Sequence, residues 1–201
     1  DWSRVGSRTL LIAKHGLEGS AERPYMKGII RAFNQAGIDG LAFNFRGCSG
    51  EPNRLAISYH MGWTNDLEYV INALEEDGRY DHIVLAGFSL GGSVVLNYLG
   101  RKGAGISPLV KGAITFCVPV HIMSTNRGFN TLKNKIYLNR FMKSLNDKTL
   151  RKANHHPKLQ VFDKRKLPTT FDEFDNLITG PVHGFKDGKD YWESCSSLQF
   201  L

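Results

Sequence analysis

The sequence predicts an α/β protein in which helices cover both faces of a mostly parallel sheet. Two observations point to this class. Four short apolar runs with the character of strands alternate with stretches whose apolar residues recur at helical spacing. The runs are apolar on both faces, which is typical of parallel strands buried between two layers of helices. We therefore expect the sheet to form the centre of the fold.

Each predicted strand is a short apolar run, and turn-forming residues separate it from the next element. The runs cover Thr9–Lys14, 40–45, His82–Phe88 and 111–120. The first ends at "HGLEGS" and the second at "RGCSGEPN", whose glycines and polar residues mark loops. Strand and loop therefore follow one another as a parallel sheet requires.

Helices are predicted between these strands. Pro24 suits the first turn of a helix that runs to about residue 36, and Gly37 suits its end. A second helix begins near Trp63 and a third covers residues 90–99, each with apolar residues in helical phase. The chain up to residue 120 is thereby assigned to an α/β core.

The pattern changes after residue 120. Residues 130–153 have helical spacing with a basic face, and residues 154–170 are polar and irregular. The stretch "FDEFDNLIT" indicates one more short helix, and no further strand is evident before the final "SSLQFL". We therefore expect the second part of the chain to be helical.

Length and composition favour one domain with a sizeable core, because the chain has 201 residues of which 41% are hydrophobic. No window approaches the roughly 18 uninterrupted apolar residues of a membrane span. The first ten residues lack the features of a signal peptide, although a chain without its natural start would lack them too. The three cysteines are widely spaced without a C-x-x-C pattern, which argues against a disulfide framework and a zinc site. We therefore expect a cytoplasmic protein without metal or cofactor.

The net charge of +7 comes from one segment. Residues 127–166 hold 12 Lys or Arg and two acidic residues, Asp147 and Asp163, which gives a charge of +10. The remaining residues hold 14 Lys or Arg and 17 Asp or Glu, which gives −3. Such a segment could face anionic substrates, lipid headgroups or nucleic acid, or could form a solvated helical surface. No nucleic-acid-binding motif accompanies it, so nucleic acid is not expected as a partner.

Ser89 is the first candidate for chemistry. It lies in "GFSLG", a G-x-S-x-G pattern placed between an apolar strand and an apolar helix, as a nucleophile elbow requires. A serine on such a sharp turn has a strained backbone, and Gly87 and Gly91 would remove Cβ atoms that collide across the turn. The N–H of Leu90 then points toward charge that develops beside Ser89. The alternative is a helix N-cap serine after a strand.

The loop "HGLEG", residues 15–19, is the second candidate. An oxyanion hole takes one N–H from the residue after the nucleophile and another from a loop after an earlier strand, and Leu17 is our candidate for the second donor. The alternative is an ordinary glycine-rich turn. His15 and His60 both precede Ser89, whereas the base of this chain order follows the serine, so both are interpreted as structural.

Five motifs together resemble one family. They are "HGLEGS", "NFRGCSGEPNR", "YHMGWTNDLEYVI", "GFSLGGSVVLNYLG" and "FDEFDNLITGPVHGFKDGKDYW". In this order they are similar to the YheT-like branch of the α/β-hydrolase superfamily, which includes bacterial esterases, eukaryotic abhydrolase-domain phospholipases and fungal medium-chain ethanol acyltransferases. The resemblance extends from about residue 9 to residue 197.

The resemblance implies a serine hydrolase that acts on carboxylic esters through an acyl-enzyme on Ser89, with Leu17 and Leu90 as oxyanion donors. It implies a hydrolase core over residues 1–120, a helical cap over 121–190 and a return toward the core over 191–201. The expected substrate is a small-molecule or lipid ester, and the basic cap suggests peripheral membrane contact. Arg46, in the loop after the second strand, is expected to be structural.

The catalytic acid and base are less evident. By chain order Asp175 and His183 qualify, and so does Asp163 with either residue, but none of them follows an apolar strand. We therefore expect the acid and base to lie beyond Leu201 in a longer protein, and the N-terminal hairpin of such folds to precede Thr9. The 201 residues alone are then expected to be inactive.

Two other functions stay open at this stage. An acyltransferase would use the same serine and replace water with an alcohol as the acceptor. A catalytically silent scaffold would keep the fold and bind a ligand or partner through the cap.

Overall fold

A computed structural model of the chain describes residues 1–156, 159 and 165–201. These residues divide into two compact units. The core unit comprises residues 1–45, 61–120 and 197–201, and the helical unit comprises residues 46–60 with the described part of 121–196. Asp163, one of the candidate acids, lies outside the described residues.

The core unit is built on a five-stranded sheet of order β1-β3-β2-β4-β5. The strands are β1 (Trp2–Ser3), β2 (Thr9–Lys14), β3 (Asp39–Phe43), β4 (His82–Phe88) and β5 (Val110–Phe116). β1 pairs antiparallel with β3, and every other pairing is parallel. The predicted fold class, a mostly parallel sheet flanked by helices, is therefore confirmed.

Three helices accompany the sheet. They are α1 (Pro24–Gln35), α2 (Asn65–Asp77) and α3 (Leu90–Lys102), and short 3-10 turns cover Gly103–Gly105 and Ser197–Phe200. α1 presents Met26 and Ile30 to Leu11 and Ala42 of the sheet, in a cluster closed to water. Residues 10–13 of β2 are fully buried, because β2 has a strand on each side and apolar side chains on both faces.

β5 differs from the expectation that every strand is covered on both faces. Most of its residues are exposed, including the apolar side chains of Ile114 and Phe116. Within the described residues, β4 is the only strand that pairs with it. Among the described strands β5 therefore lies at the edge of the sheet, and it ends at Phe116 rather than at residue 120.

The helical unit contains no strand among its described residues. Its helices are α4 (Ile122–Phe129), α5 (Lys135–Ala153), α6 (Phe171–Phe174), α7 (Gly180–His183) and α8 (Gly188–Cys195). A 3-10 turn, Leu132–Asn134, precedes α5, and a π-helical segment, Asp175–Thr179, joins α6 to α7. The predicted helix over 130–153 therefore begins at residue 135, and neither α4 nor α8 was predicted.

Lys152 ties the loop of residues 46–60 to α5 within the helical unit. Its buried ammonium donates to Asn53 Oδ1 at 3.0 Å and to the carbonyl oxygens of Ala56 at 2.9 Å and Ile57 at 3.2 Å. Burial, with smaller effects of Arg46 and Lys148, lowers the pKa of Lys152 to about 8. Part of the basic segment is therefore structural rather than solvated.

Candidate active site

Ser89 occupies the turn between β4 and α3. Its backbone has φ 52° and ψ −121°, a region that non-glycine residues rarely adopt. The Ser89 N–H donates to the Phe116 carbonyl at 2.8 Å, and the Ser89 carbonyl accepts from the Ser93 N–H at 3.1 Å. These two bonds hold the strained conformation, and the residue itself is exposed. An exposed serine on a strained turn has the access that a nucleophile needs.

Glycines let the turn pack closely against its surroundings. A Cβ atom on Gly87 would lie 2.5 Å from Gly92 Cα, which is the collision across the turn that sequence analysis expects. A Cβ on Gly91 would instead lie 2.5 Å from the carbonyl oxygens of Lys14 and His15, so the constraint at Gly91 comes from the end of β2. Gly92 is a third requirement, which sequence analysis missed, because a Cβ there would lie 2.5 Å from Val118 Cγ2.

The loop after β2 lies against Ser89. A Cβ atom on Gly16 would be 3.3 Å from Ser89 Cβ and 3.9 Å from Ser89 Oγ. The Gly19 N–H donates to the Gly16 carbonyl at 3.0 Å and closes a β-turn in which Leu17 and Glu18 are the central residues. Glu18 has φ 54°. The structure thus brings the "HGLEG" loop and the serine together.

The two expected oxyanion donors have available N–H groups. Neither the Leu17 N–H nor the Leu90 N–H has a hydrogen-bond acceptor among the residues that the structure describes. Leu90 is the first residue of α3, where N–H groups lack partners within the helix. The roles of Ser89, Leu17 and Leu90 in catalysis stay predictions.

His15 braces the loop from inside the core. The fully buried ring accepts from the Phe45 N–H through Nε2 at 3.1 Å, which assigns the proton to Nδ1, and Nδ1 donates to the Gly16 carbonyl at 2.8 Å. Both nitrogens of the neutral imidazole are therefore used by the backbone. This geometry agrees with a structural role for His15 rather than a role as the base.

Lys14 is a buried cation beside this loop that sequence analysis did not single out. Its Nζ lies 3.3 Å from the centroid of the Phe43 ring and 3.7 Å from that of Phe45. An ammonium over aromatic faces is stabilised by the ring quadrupoles. No motif marks Lys14, because the two rings approach it from the neighbouring strand and the residues directly after that strand.

The core unit contains one other histidine, His82. It is exposed and begins β4, whereas Ser89 follows the end of that strand. Seven strand residues at about 3.3 Å each place the two roughly 20 Å apart. The residues of the core unit, all of which are described, therefore supply no imidazole base next to Ser89.

The candidates Asp175 and His183 have separate partners within the helical unit. Asp175 is buried, and its Oδ2 accepts from Trp192 Nε1 at 2.8 Å. His183 accepts from the Ser58 N–H through Nε2 at 3.0 Å, and its Nδ1 donates to the Thr179 carbonyl at 2.8 Å. Burial lowers the pKa of His183 and so favours this neutral ring. The two side chains are not arranged as an acid–base pair.

His60, also interpreted as structural, is buried edge-on against the rings of His183, Phe185 and Tyr191.

Asp175 gives a testable pH dependence of stability. Burial raises the pKa of Asp175 to about 6, although the hydrogen bond from Trp192 Nε1 opposes the shift. Because this pKa is above the unfolded value, the group destabilises the fold progressively as pH rises from about 4 to about 6, by about 2 to 3 kcal/mol in all. We expect Asp175→Asn to remove this loss, so that its melting temperature gains on the wild type between pH 4.5 and pH 7.

The exposed Asp147, on α5, provides the control, since Asp147→Asn removes a carboxylate that is not buried. Thermal unfolding at the two pH values compares the three proteins. An unchanged pH dependence in Asp175→Asn would show that another group causes it.

The comparisons with known proteins agree with this geometry. The family described as the alpha/beta hydrolase fold matches residues 9–201. The chain therefore belongs to the α/β-hydrolase family. No helix within the described residues combines the length and the apolar character needed to cross a membrane.

Several relatives match nearly the whole chain. YheT of Escherichia coli is 31% identical over 95% of the chain and 56% of its own length. Monoacylglycerol lipase of Saccharomyces cerevisiae is 29% identical over 96% of the chain and 44% of its own length. Human phospholipase ABHD3 is 27% identical over 96% of the chain and 47% of its own length. The chain thus spans about half the length of these relatives.

Solved structures show the same fold. The esterase Pf2001 of Pyrococcus furiosus aligns with a TM-score of 0.55 and 22% identity over 74% of this chain and 60% of its own. Est1E of Butyrivibrio proteoclasticus aligns with a TM-score of 0.54 and 18% identity over 66% of this chain and 53% of its own.

Proposed function

We propose that the protein is a serine hydrolase that cleaves carboxylic esters, with Ser89 as its nucleophile. The observation that carries the proposal is the elbow, where a strained and exposed serine lies against the "HG" loop. Relatives named as a lipase and a phospholipase support acyl or lipid esters as the substrate class.

The proposed reaction proceeds through an acyl-enzyme. A histidine base takes the proton from Ser89 Oγ, which attacks the ester carbonyl carbon, and the carbonyl oxygen becomes an oxyanion. The N–H groups of Leu17 and Leu90 donate to this oxyanion. The tetrahedral intermediate expels the alcohol, which takes the proton from the histidine. Water then attacks the acyl carbon while the histidine takes one of its protons, and the histidine returns that proton to Ser89 Oγ as the acid is released.

The base is proposed to come from outside the core unit. His15 is held by the backbone and His82 begins β4, far from the serine, so neither serves Ser89. If the base also lies outside the helical unit, the 201 residues alone hydrolyse esters poorly or not at all. Activity is tested in the protein as its gene encodes it, with the 201-residue chain measured beside it.

The oxyanion role of Leu17 can be tested with a substitution that the backbone tolerates. Glu18, with φ 54°, is the third residue of the turn closed by Gly16 and Gly19, whereas Leu17 does not have positive φ. This is the pattern of a type II turn, which accepts proline at its second position. Leu17→Pro therefore removes the N–H and retains the turn. We expect kcat/KM for 4-nitrophenyl butyrate to fall roughly 10²-fold.

Leu17→Ala is the matched control, since it removes the side chain and retains the N–H donor. Its kcat/KM is expected to stay much closer to the wild type. If alanine and proline lower kcat/KM equally, the side chain and not the N–H is responsible, and the oxyanion assignment is wrong.

An acyltransferase is the second candidate. One relative is medium-chain fatty acid ethyl ester synthase/esterase 2 of Saccharomyces cerevisiae, 26% identical over 94% of the chain and 47% of its own length. The same acyl-enzyme would then pass its acyl group to an alcohol. Product analysis with ethanol added distinguishes the two, because an ethyl ester forms in excess of the acid only if the alcohol is the preferred acceptor.

A silent scaffold is the third candidate, and it applies if no imidazole reaches Ser89 in the natural gene product. It predicts neither ester hydrolysis nor covalent labelling of Ser89 in the natural gene product.

A further inference from the structure

We propose that residues 127–143 form a docking surface for anionic lipid bilayers, here called the 127–143 surface. It comprises the end of α4, the 3-10 turn Leu132–Asn134 and the first part of α5. The proposal goes beyond ester hydrolysis, since the surface can bind lipid whether or not Ser89 is a nucleophile.

Large apolar side chains are exposed on this surface. Leu132 is 88% exposed, Ile136 is 81% exposed and Tyr137 is 59% exposed. The inner face of α5 is occupied by other residues, since Leu138 and Met142 are buried. The three exposed side chains therefore do not contribute to the core of the helical unit, and large apolar side chains exposed within one short segment suit an interaction site.

Exposed basic residues flank the apolar ones along the chain. The exposed cations are Arg127, Lys133, Lys135, Arg140 and Lys143. Residues 127–146 contain no Asp or Glu, so these five charges are not neutralised within the segment. Exposed Leu and Ile beside Lys and Arg are the features of a helix that lies in the interface of a membrane, with its cations among anionic headgroups.

Charge complementarity selects the lipid surface over the other occupants. A second copy of the chain would bring five cations against five cations, which opposes association. Nucleic acid would neutralise the cations but would leave Leu132 and Ile136 in a polar environment. An anionic bilayer accommodates both features, because its headgroups are negative and the acyl boundary beneath them is apolar.

Vesicle binding tests the proposal with the 201-residue chain. We expect it to cosediment with vesicles of phosphatidylcholine and phosphatidylserine, and to bind at least about tenfold more weakly to phosphatidylcholine alone or at 1 M salt. Lys133→Ala with Lys135→Ala is expected to weaken binding roughly 25-fold, at about fivefold per charge. Leu132→Ser with Ile136→Ser is expected to weaken it at least about tenfold.

Matched controls make the same changes elsewhere on the surface. Tyr69→Ser removes a side chain that is 76% exposed on α2, and Lys111→Ala with Lys186→Ala removes two exposed cations. Both controls are expected to bind as the wild type does. All the substituted side chains are exposed, and circular dichroism checks that each variant folds.

Three results would overturn the proposal. The chain could fail to bind anionic vesicles, it could bind neutral vesicles equally well, or the double variant Leu132→Ser with Ile136→Ser could bind unchanged. Sedimentation that shows a dimer lost in that variant would assign the surface to a second copy instead. When the lysine double variant and the Leu132→Ser with Ile136→Ser double variant are made in the natural gene product, both are expected to hydrolyse a soluble nitrophenyl ester as the wild type does. Failure of lipid binding is therefore distinguishable from failure of the proposed activity.

Discussion

We expect Ser89→Ala to abolish labelling of the natural gene product by a fluorophosphonate probe, and to lower ester hydrolysis by about 10³-fold or more. In the proposed mechanism the hydroxyl oxygen is the atom that bonds to the acyl carbon, so no other interaction replaces it. The substitution leaves the elbow in place, because the bonds that hold it use the backbone N–H and carbonyl of residue 89. In-gel labelling and a nitrophenyl ester assay measure the two losses.

Ser93→Ala is the control for this substitution. Ser93 lies one turn further along α3, is fully buried and donates through Oγ to the Pro119 carbonyl at 3.3 Å. Its loss is expected to affect stability modestly and to leave the probe reaction intact. Undiminished labelling of Ser89→Ala would place the nucleophile elsewhere, and no labelling of the wild type would favour the silent scaffold.

The second large effect is expected from Gly91→Ala. The added methyl carbon would lie 2.5 Å from the carbonyl oxygens of Lys14 and His15. Both are backbone atoms in the central strand and its loop, so α3 has to move away from β2 to admit the methyl group. We expect a stability loss at the upper end of overpacking substitutions or beyond, about 3 kcal/mol or more. Urea unfolding gives the loss as a shift of the midpoint.

Gly28→Ala provides the opposite outcome in the same experiment. Gly28 lies on the exposed face of α1, and nothing is within 4 Å of the position that its Cβ would occupy. Alanine is the better helix former there, so we expect a gain of about 0.5 to 1 kcal/mol. Equal midpoints for Gly91→Ala and the wild type would mean that α3 and β2 are further apart than the structure shows.

The central part of the fold could be predicted because its signals are local. β2 and β4 begin and end at the predicted residues, since a strand buried on both faces is one apolar run between polar loops. β1 could not be predicted, because two residues carry no pattern and the strand forms through backbone pairing with β3. α8 was missed although a signal exists: the Asp187 side chain caps the helix by accepting from the Asp190 N–H at 2.8 Å.

Some features of the candidate site could be predicted from local sequence, and others depend on contacts with distant parts of the chain. The strained Ser89 and the close contact at Gly87 follow from a strand-to-helix turn of known sequence pattern. The constraints on Gly91 and Gly92 come from β2 and from Val118, which are distant in sequence. No spacing rule could identify these contacts, because they depend on how α3 packs against other parts of the core unit.

Three non-glycine residues of the core unit have positive φ: Glu18, Ser89 and Cys117. They follow β2, β4 and β5, at the carboxyl ends of three neighbouring strands, where each conformation costs about 1 to 3 kcal/mol. The fold is therefore less stable than it would be with glycine at these three positions. Selection for heat tolerance alone would favour glycine at all three positions, and at position 89 that gain would remove the hydroxyl. Under the proposed function, serine at position 89 lowers the stability of the fold and supplies the nucleophilic hydroxyl.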